Sequence, residues 1–325
     1  MSKKIALAVC LVVTAGTLAF SAEEGEPAAK PAVAWRADLA EARAEAKRGG
    51  GLMVVYLTRG NCPWCTKMEK ETLADGRVIA ALGGFVPVKV LDAEERGALM
   101  QEHALRGVPS TLVLGPGGAA LAKIVGYRPA PAFLAELEKA KASHKEQIEL
   151  AARVKANPED LPAVLKLAEL ELERGRVAEA VAGFASARML DTAKKYAARI
   201  DMGEAVALMK SGEAAEGRKL LGSIAEKYPD SPQAPQALFA LGTAVAESGD
   251  MAGGEKELAK IVDKYPKSAE APQALFIVGV IQARTGRMKD ALKSFQKIVD
   301  EHKESPLAPR AAGVIRALEA QGGAR

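Results

Sequence analysis

The stretch Leu52-Met53-Val54-Val55-Tyr56-Leu57, then Thr58-Arg59-Gly60-Asn61, then Cys62-Pro63-Trp64-Cys65, decides the fold of the first half of the chain. Its first six residues are an unbroken apolar run with β-branched members, the pattern of a strand covered on both faces. Arg59-Gly60-Asn61 turns the chain, and Cys62 opens a helix predicted to reach Thr72. Pro63 suits the first turn of that helix, where a missing N–H has no intrahelical partner. A strand that delivers a C-x-x-C pair to a helix start places two sulfurs at the end of a sheet.

Outward from this stretch the elements follow in order. Trp35 to Arg48 is rich in Ala, Glu and Arg at helical spacing and is closed by Gly49-Gly50-Gly51. Val78 to Leu82 reads as a short helix, Phe85 to Leu91 as a second strand, and Glu94 to Leu105 as a helix. Val108-Pro109-Ser110 leads into a strand over Thr111 to Leu114. The turn Gly115-Pro116-Gly117-Gly118 then predicts a hairpin to Ala119 to Val125. Pro129 to Lys141 is predicted as a closing helix. Strands paired early through a helix and late through a hairpin describe a mixed sheet flanked by helices, an α/β arrangement.

Helix-start placement also makes chemical sense for a cysteine. Unpaired backbone N–H groups and the positive helix end favour the thiolate of Cys62, and Arg59 and Lys67, close by in sequence, are expected to add to that. Cys65 falls one turn later, within reach of Cys62 but turned toward the protein. In thiol–disulfide exchange Cys62 would attack and Cys65 would resolve the mixed disulfide. Zinc binding would need two further ligands, and His103, His144 and His302 are scattered without ligand spacing, so no metal site is expected. No cofactor is implied either.

The C-x-x-C after the first long strand, Val108-Pro109 before the hairpin and Gly126 after the last strand come in the order of a thioredoxin fold. Residues 35–143 resemble a thioredoxin-like domain on these features, which sets its bounds at 35–145. The resemblance implies catalytic roles for Cys62 and Cys65. It further implies a cis peptide at Pro109 beside the active site, with an extended substrate segment pairing against the backbone at Val108. Trp64, between the cysteines, is expected to be exposed, as a substrate contact or as a shield over the pair. Two positions depart from thioredoxin proper. Asn61 stands where a tryptophan precedes the first cysteine, and Tyr56 stands where thioredoxins bury an acid that handles the proton of the second thiol. Glu69, four residues beyond Cys65, either substitutes for that acid or is an ordinary solvated glutamate. The run Cys65 to Thr72 resembles the thioredoxin-like domains of periplasmic disulfide reductants, including the C-terminal domain of the membrane protein that imports reducing power. Electron donation, fed by an upstream thiol donor, is what this implies. The direction itself is set by the reduction potential.

The second half repeats. Lys227-Tyr228-Pro229-Asp230-Ser231 with Ala234-Pro235-Gln236-Ala237-Leu238-Phe239 returns as Lys264-Tyr265-Pro266-Lys267-Ser268 with Ala271-Pro272-Gln273-Ala274-Leu275-Phe276. A worn third copy runs from Glu301 to Pro309. Small residues on one helix, a Gly turn, then an Ala- and Phe-containing helix resemble tetratricopeptide (TPR) repeats. About four helix pairs over 157–302 and a closing helix from Pro306 to about Ala320 are expected, an all-α solenoid over 150–322. Its concave face would take a protein partner.

Lys3 and Lys4 precede an apolar run from Ile5 to Phe20, and Ala19-Phe20-Ser21 offers small residues for cleavage. Residues 1–21 are therefore expected to be a signal peptide, and 22–34 a linker. A periplasmic or otherwise extracytoplasmic location follows, with no membrane span after cleavage. Removal of the leader takes Cys10 with it and leaves the C-x-x-C pair alone. Near-balanced charge, net +4 overall, and sparse aromatics give no basic face or stacking platform for nucleic acid. The expected function is a thiol–disulfide oxidoreductase that reduces protein disulfides. The alternative is an envelope TPR scaffold in which the redox site is secondary. Copper handling lacks nearby Met or His ligands.

Overall fold

The computed structural model describes residues 32–322 of the chain. The expected leader, Cys10 within it and most of the 22–34 linker lie outside these residues.

Four strands form one mixed sheet in the order β2-β1-β3-β4: β1 is Met53–Leu57, β2 Val86–Val90, β3 Ser110–Leu114 and β4 Ala120–Val125. β1 runs parallel to β2 and antiparallel to β3, and β3 and β4 form the hairpin. All five residues of β1 are buried because it is central and covered on both sides. Val54 and Tyr56 face a core built with Met68, Val78, Leu82, Phe133 and Leu137. Met53, Val55 and Leu57 face the other core, with Ala42, Ala46 and Leu99. Helices α1 (Leu39–Gly49) and α4 (Ala93–Glu102) therefore cover one face, while α2 (Pro63–Lys67), α3 (Gly76–Leu82) and the start of α5 (Ala130–Ala156) cover the other.

Three local departures from the sequence reading have physical causes. The first helix begins at Leu39, not Trp35. Asp38 caps it by accepting from the Glu41 N–H, and Arg36 is instead drawn alongside β2. There its N–H donates to the Pro87 carbonyl at 2.9 Å and its carbonyl accepts from Lys89 N–H at 3.0 Å. Pro87 is tolerated because its missing donor lies on this outer edge and not on the β1 side. The helix opened by Cys62 does not run evenly to Thr72: after Lys67 it widens into a π-helical turn over Met68–Thr72, with Leu73 N–H reaching the Met68 carbonyl at 2.9 Å.

The largest departure is α5. It does not stop at Lys141 but continues for 27 residues to Ala156, about 40 Å at 1.5 Å per residue. Nothing between Ala142 and Ala156 breaks a helix, and the first breaker is Asn157-Pro158. Its far half packs on α6 (Leu161–Glu173). Arg174, just past α6, donates to the Ser143 carbonyl at 2.7 Å, to Ser143 Oγ at 3.0 Å and to Gln147, whose amide in turn donates to Glu171 at 2.9 Å.

Beyond α5 come four antiparallel pairs, α6 with α7 (Val177–Leu190), α8 (Ala197–Lys210) with α9 (Ala214–Lys227), α10 (Gln233–Glu247) with α11 (Met251–Lys264), and α12 (Ala271–Arg284) with α13 (Met288–Glu301). Helix α14 (Ala308–Gly322) closes the stack. The repeated Tyr-Pro turns are the same in space. Ser231, Ser268 and Ser305 each donate a backbone N–H to the carbonyl of residue 228, 265 or 302, at 3.0, 3.0 and 2.9 Å. His302 thus keeps the geometry of the tyrosine it replaces. Close helix contact rests on small residues: an added Cβ at Gly203 would lie 2.2 Å from the Phe184 ring, and one at Gly279 would lie 2.8 Å from Phe295. Among the described residues no helix is long and apolar enough to cross a membrane.

Candidate functional site

Cys62 and Cys65 are joined as a disulfide with their Cα atoms 5.2 Å apart. The pair sits where β1 ends and α2 begins, the location its sequence context predicts. Cys62 is the helix N-cap, in extended conformation, and its sulfur accepts the Cys65 N–H at 3.1 Å. A sulfur at that position faces the unpaired donors of the first turn, which favours a thiolate once the bond is reduced. Cys62 is 6% exposed and Cys65 2%, so whatever solvent reaches the pair reaches Cys62 first.

Across from the sulfurs, the Val108–Pro109 peptide is cis, as the family resemblance implies. The Val108 carbonyl lies 3.9 Å from Cys62 Sγ. Pro109 is held by Gly126, whose N–H donates to the Pro109 carbonyl at 2.8 Å. Gly126 adopts φ +79°, a left-handed conformation suited to glycine. The loop before β3 and the loop after β4 are thereby tied together beside the disulfide.

Tyr56 is fully buried beneath the pair, with its hydroxyl donating to the Cys65 carbonyl at 3.3 Å and its ring 5.8 Å from Trp35. Burial pushes its hydroxyl up to about 12, so at neutral pH it is a protonated donor and not a base. Glu69, one of the two readings of which was a solvated surface glutamate, is half-buried: one carboxylate oxygen lies 3.0 Å from Lys89 Nζ and 3.4 Å from Thr58 Oγ1. Lys89 is paired in register with Tyr56 across β1 and β2. Glu69 on the cysteine helix is thus tied to β2 through Lys89 and to the end of β1 through Thr58. Lys89 was not singled out from the sequence, although a lysine within the apolar run Phe85 to Leu91 is the signal that marks it.

Trp64 is 59% exposed. Its ring lies 6.1 Å from that of Tyr127, and Lys67 Nζ sits 5.6 Å from the first ring and 4.7 Å from the second. Tyr127 donates its hydroxyl to Glu71 at 2.7 Å, and Glu71 reaches Lys67 at 3.8 Å. Lys67 is therefore engaged with rings and a carboxylate, so it adds less to the field at Cys62 than its place in the sequence suggests. Arg59 is exposed and makes no ion pair among the described residues. Tyr127 also went unremarked in the sequence, where its position right after Gly126 was the available sign. Among the described residues no three His, Cys, Asp or Glu side chains gather as a metal site.

On the helical stack, an apolar groove of about 680 Å³ lies between the repeated phenylalanines Phe239 and Phe276 and the turn at Pro306 and Leu307.

Residues 36–141 match the thioredoxin-like domain family, and residues 202–269 and 268–309 match the tetratricopeptide repeat family. A curated relative, the thiol:disulfide interchange protein DsbD of Ralstonia nicotianae, is 35% identical over 83 residues. The match covers 24% of this chain and 14% of the relative, so the chain spans about a seventh of that protein's length. Similar solved structures include a DsbH oxidoreductase at 18% identity, covering 37% of this chain and 91% of that one, with a TM-score of 0.31. A thioredoxin from Thermus thermophilus is 28% identical, covering 33% and 86%, with a TM-score of 0.30. MamA from Desulfovibrio magneticus RS-1 is 16% identical, covering 50% and 88%, with a TM-score of 0.40.

Proposed function

Since residues 36–141 are a thioredoxin-like domain and residues 202–309 carry tetratricopeptide repeats, we propose that the chain is an extracytoplasmic thiol–disulfide oxidoreductase that reduces protein disulfides. The observation that carries this is the Cys62–Cys65 bond at a helix start, 3.9 Å from the Val108 carbonyl of a cis-proline loop.

In the reductive direction the Cys62 thiolate attacks one sulfur of a substrate disulfide. That S–S bond breaks, a mixed disulfide forms, and the departing thiolate takes up a proton. Cys65 then gives up its proton and attacks Cys62 Sγ, which restores the Cys62–Cys65 bond and releases the second substrate thiol. Two electrons pass from the dithiol to the substrate, and a thiol donor upstream must return them. Val108 and Pro109 orient the substrate segment, Trp64 contacts it, and Glu69, braced by Lys89, receives the Cys65 proton. The helical repeats recruit a protein partner. Location outside the cytoplasm rests on the signal-peptide character of residues 1–21.

Cys65→Ser should leave Cys62 able to attack but unable to be released, so substrates accumulate as mixed disulfides on non-reducing gels. A Cys65→Ser protein that captures nothing, under conditions where Cys62 is reduced, speaks against the assignment.

The groove beside Phe239 and Phe276 favours a second reading, an envelope scaffold with a secondary redox site. Deleting the repeats separates the two. Because α5 continues to Ala156, the cut belongs after Asn157 and not within the helix. Full complementation by the shortened chain removes the scaffold reading.

A further inference from the structure

We propose that the Cys62 face selects acidic protein segments bearing an aromatic or large apolar residue next to the disulfide. This rests on the oxidoreductase reading above and names the substrate class of the same site.

Three loops meet at the end of the sheet that carries Cys62. Leu57, Ser110 and Val125 are in register across β1, β3 and β4, so the chain segments leaving or entering there lie side by side. Each brings one arginine: Arg59 two residues after β1, Arg106 four before β3, and Arg128 three after β4. All three are exposed, and none is ion-paired among the described residues. The two carboxylates of the cysteine helix are already engaged, Glu69 with Lys89 and Glu71 with Tyr127 and Lys67. The rim over β1, β3 and β4 therefore presents three exposed arginines, none of them neutralised by an ion pair among the described residues. On the β2 side the sign reverses, because Asp92, Glu94 and Glu95 open α4. A face polarised in this way admits an acidic segment over the cis-proline loop and disfavours a basic one.

The aromatic preference comes from Trp64 and Tyr127. Trp64 belongs to the cysteine helix and Tyr127 to the loop tied to Pro109, so the two rings bridge the elements on either side of the disulfide. Lys67 and the hydroxyl bond to Glu71 hold the rings in place. A substrate side chain laid on this shelf meets a preformed apolar surface that costs little ordering.

The test uses the full-length reduced protein and cystine peptides that differ only in flanking residues: Glu, Gln or Lys around the cysteine, and Phe or Gly next to it. Ratios of kcat/KM between peptides cancel any change in thiol reactivity. Glu peptides should exceed Lys peptides by about tenfold at 50 mM salt, with the ratio shrinking to about threefold at 500 mM. The double variant Arg106→Ala, Arg128→Ala should shrink it likewise at low salt. Tyr127→Ala should cut the Phe-over-Gly ratio about three- to tenfold. A Glu-to-Lys ratio near one in the wild type, or one that survives the double arginine variant, overturns the charge selection. A Phe-to-Gly ratio that Tyr127→Ala leaves intact overturns the shelf. Failure to reduce any of the peptides defeats the oxidoreductase reading itself, and so is told apart from a loss of selectivity.

Discussion

Tyr56 donates its hydroxyl to the Cys65 carbonyl across 3.3 Å, so the central strand is tied directly to the backbone of the cysteine helix. Tyr56 is one of the two positions, with Asn61, at which the site departs from thioredoxins, which place an acid under the pair. Here the strand supplies an anchor instead, and under the proposed function Glu69 on the helix takes the proton.

Replacing Tyr56 by Phe removes that bond without changing shape much. The expected cost is about 1 kcal/mol of stability, measured by denaturant unfolding. The alkaline limb should change too. Tyr56 releases its proton at about 12 when folded, against about 10 when unfolded. Between those values the unfolded state holds fewer protons, so stability falls as pH rises from 10 to 12 and is fully present below 10. Tyr56→Phe should show a shallower decline over that window than the wild type. Parallel declines would mean that Tyr56 does not titrate as its burial requires.

Glu69→Gln keeps the size of the side chain but removes its ability to take a proton. The attack of Cys65 on the mixed disulfide should slow by about a hundredfold, the lower end of general-base effects. Mixed disulfide should then accumulate in rapid-quench samples at neutral pH. Unchanged accumulation would assign Glu69 to the ion pair with Lys89 alone.

Gly203→Ala places a methyl group where the Phe184 ring already lies, 2.2 Å from the new carbon. The first two helix pairs should lose about 1–3 kcal/mol. Thermal unfolding followed by circular dichroism checks this, and an unchanged midpoint contradicts the packing described.

Arg174→Ala cuts the bonds from the first repeat to Ser143 and Gln147. Amide exchange over residues 143–156, the far half of α5, should quicken while β1 and β3 stay protected. Uniform exchange across α5 in the variant and the wild type would show that helix packing alone holds the junction.

Much of this was legible in the sequence, and the exceptions share a cause. The strand Leu52 to Leu57 and the cysteine pair were readable because each rests on a local rule, an apolar run and a helix-start cysteine, whereas the cis peptide at Pro109 was implied only by the family resemblance. The repeats were readable because Tyr228, Tyr265 and their neighbours recur 37 residues apart. Trp35 and Arg36 were misread as helix because their bridge to β2 is a tertiary contact that overrides propensity. The stop at Lys141 assumed that a closing helix ends with its domain, whereas no residue before Asn157 breaks it. Lys89 and Tyr127 escaped notice because each gains its role from a partner distant in sequence: Lys89 lies 20 residues from Glu69, and Tyr127 is 63 from Trp64.

Insulin reduction by the dithiothreitol-reduced, full-length protein, run beside Cys62→Ser, tests the redox assignment most directly. Wild type should precipitate the insulin chains well ahead of dithiothreitol alone, and Cys62→Ser should do no better than dithiothreitol. A wild type no faster than dithiothreitol, or a Cys62→Ser protein as active as wild type, would contradict it.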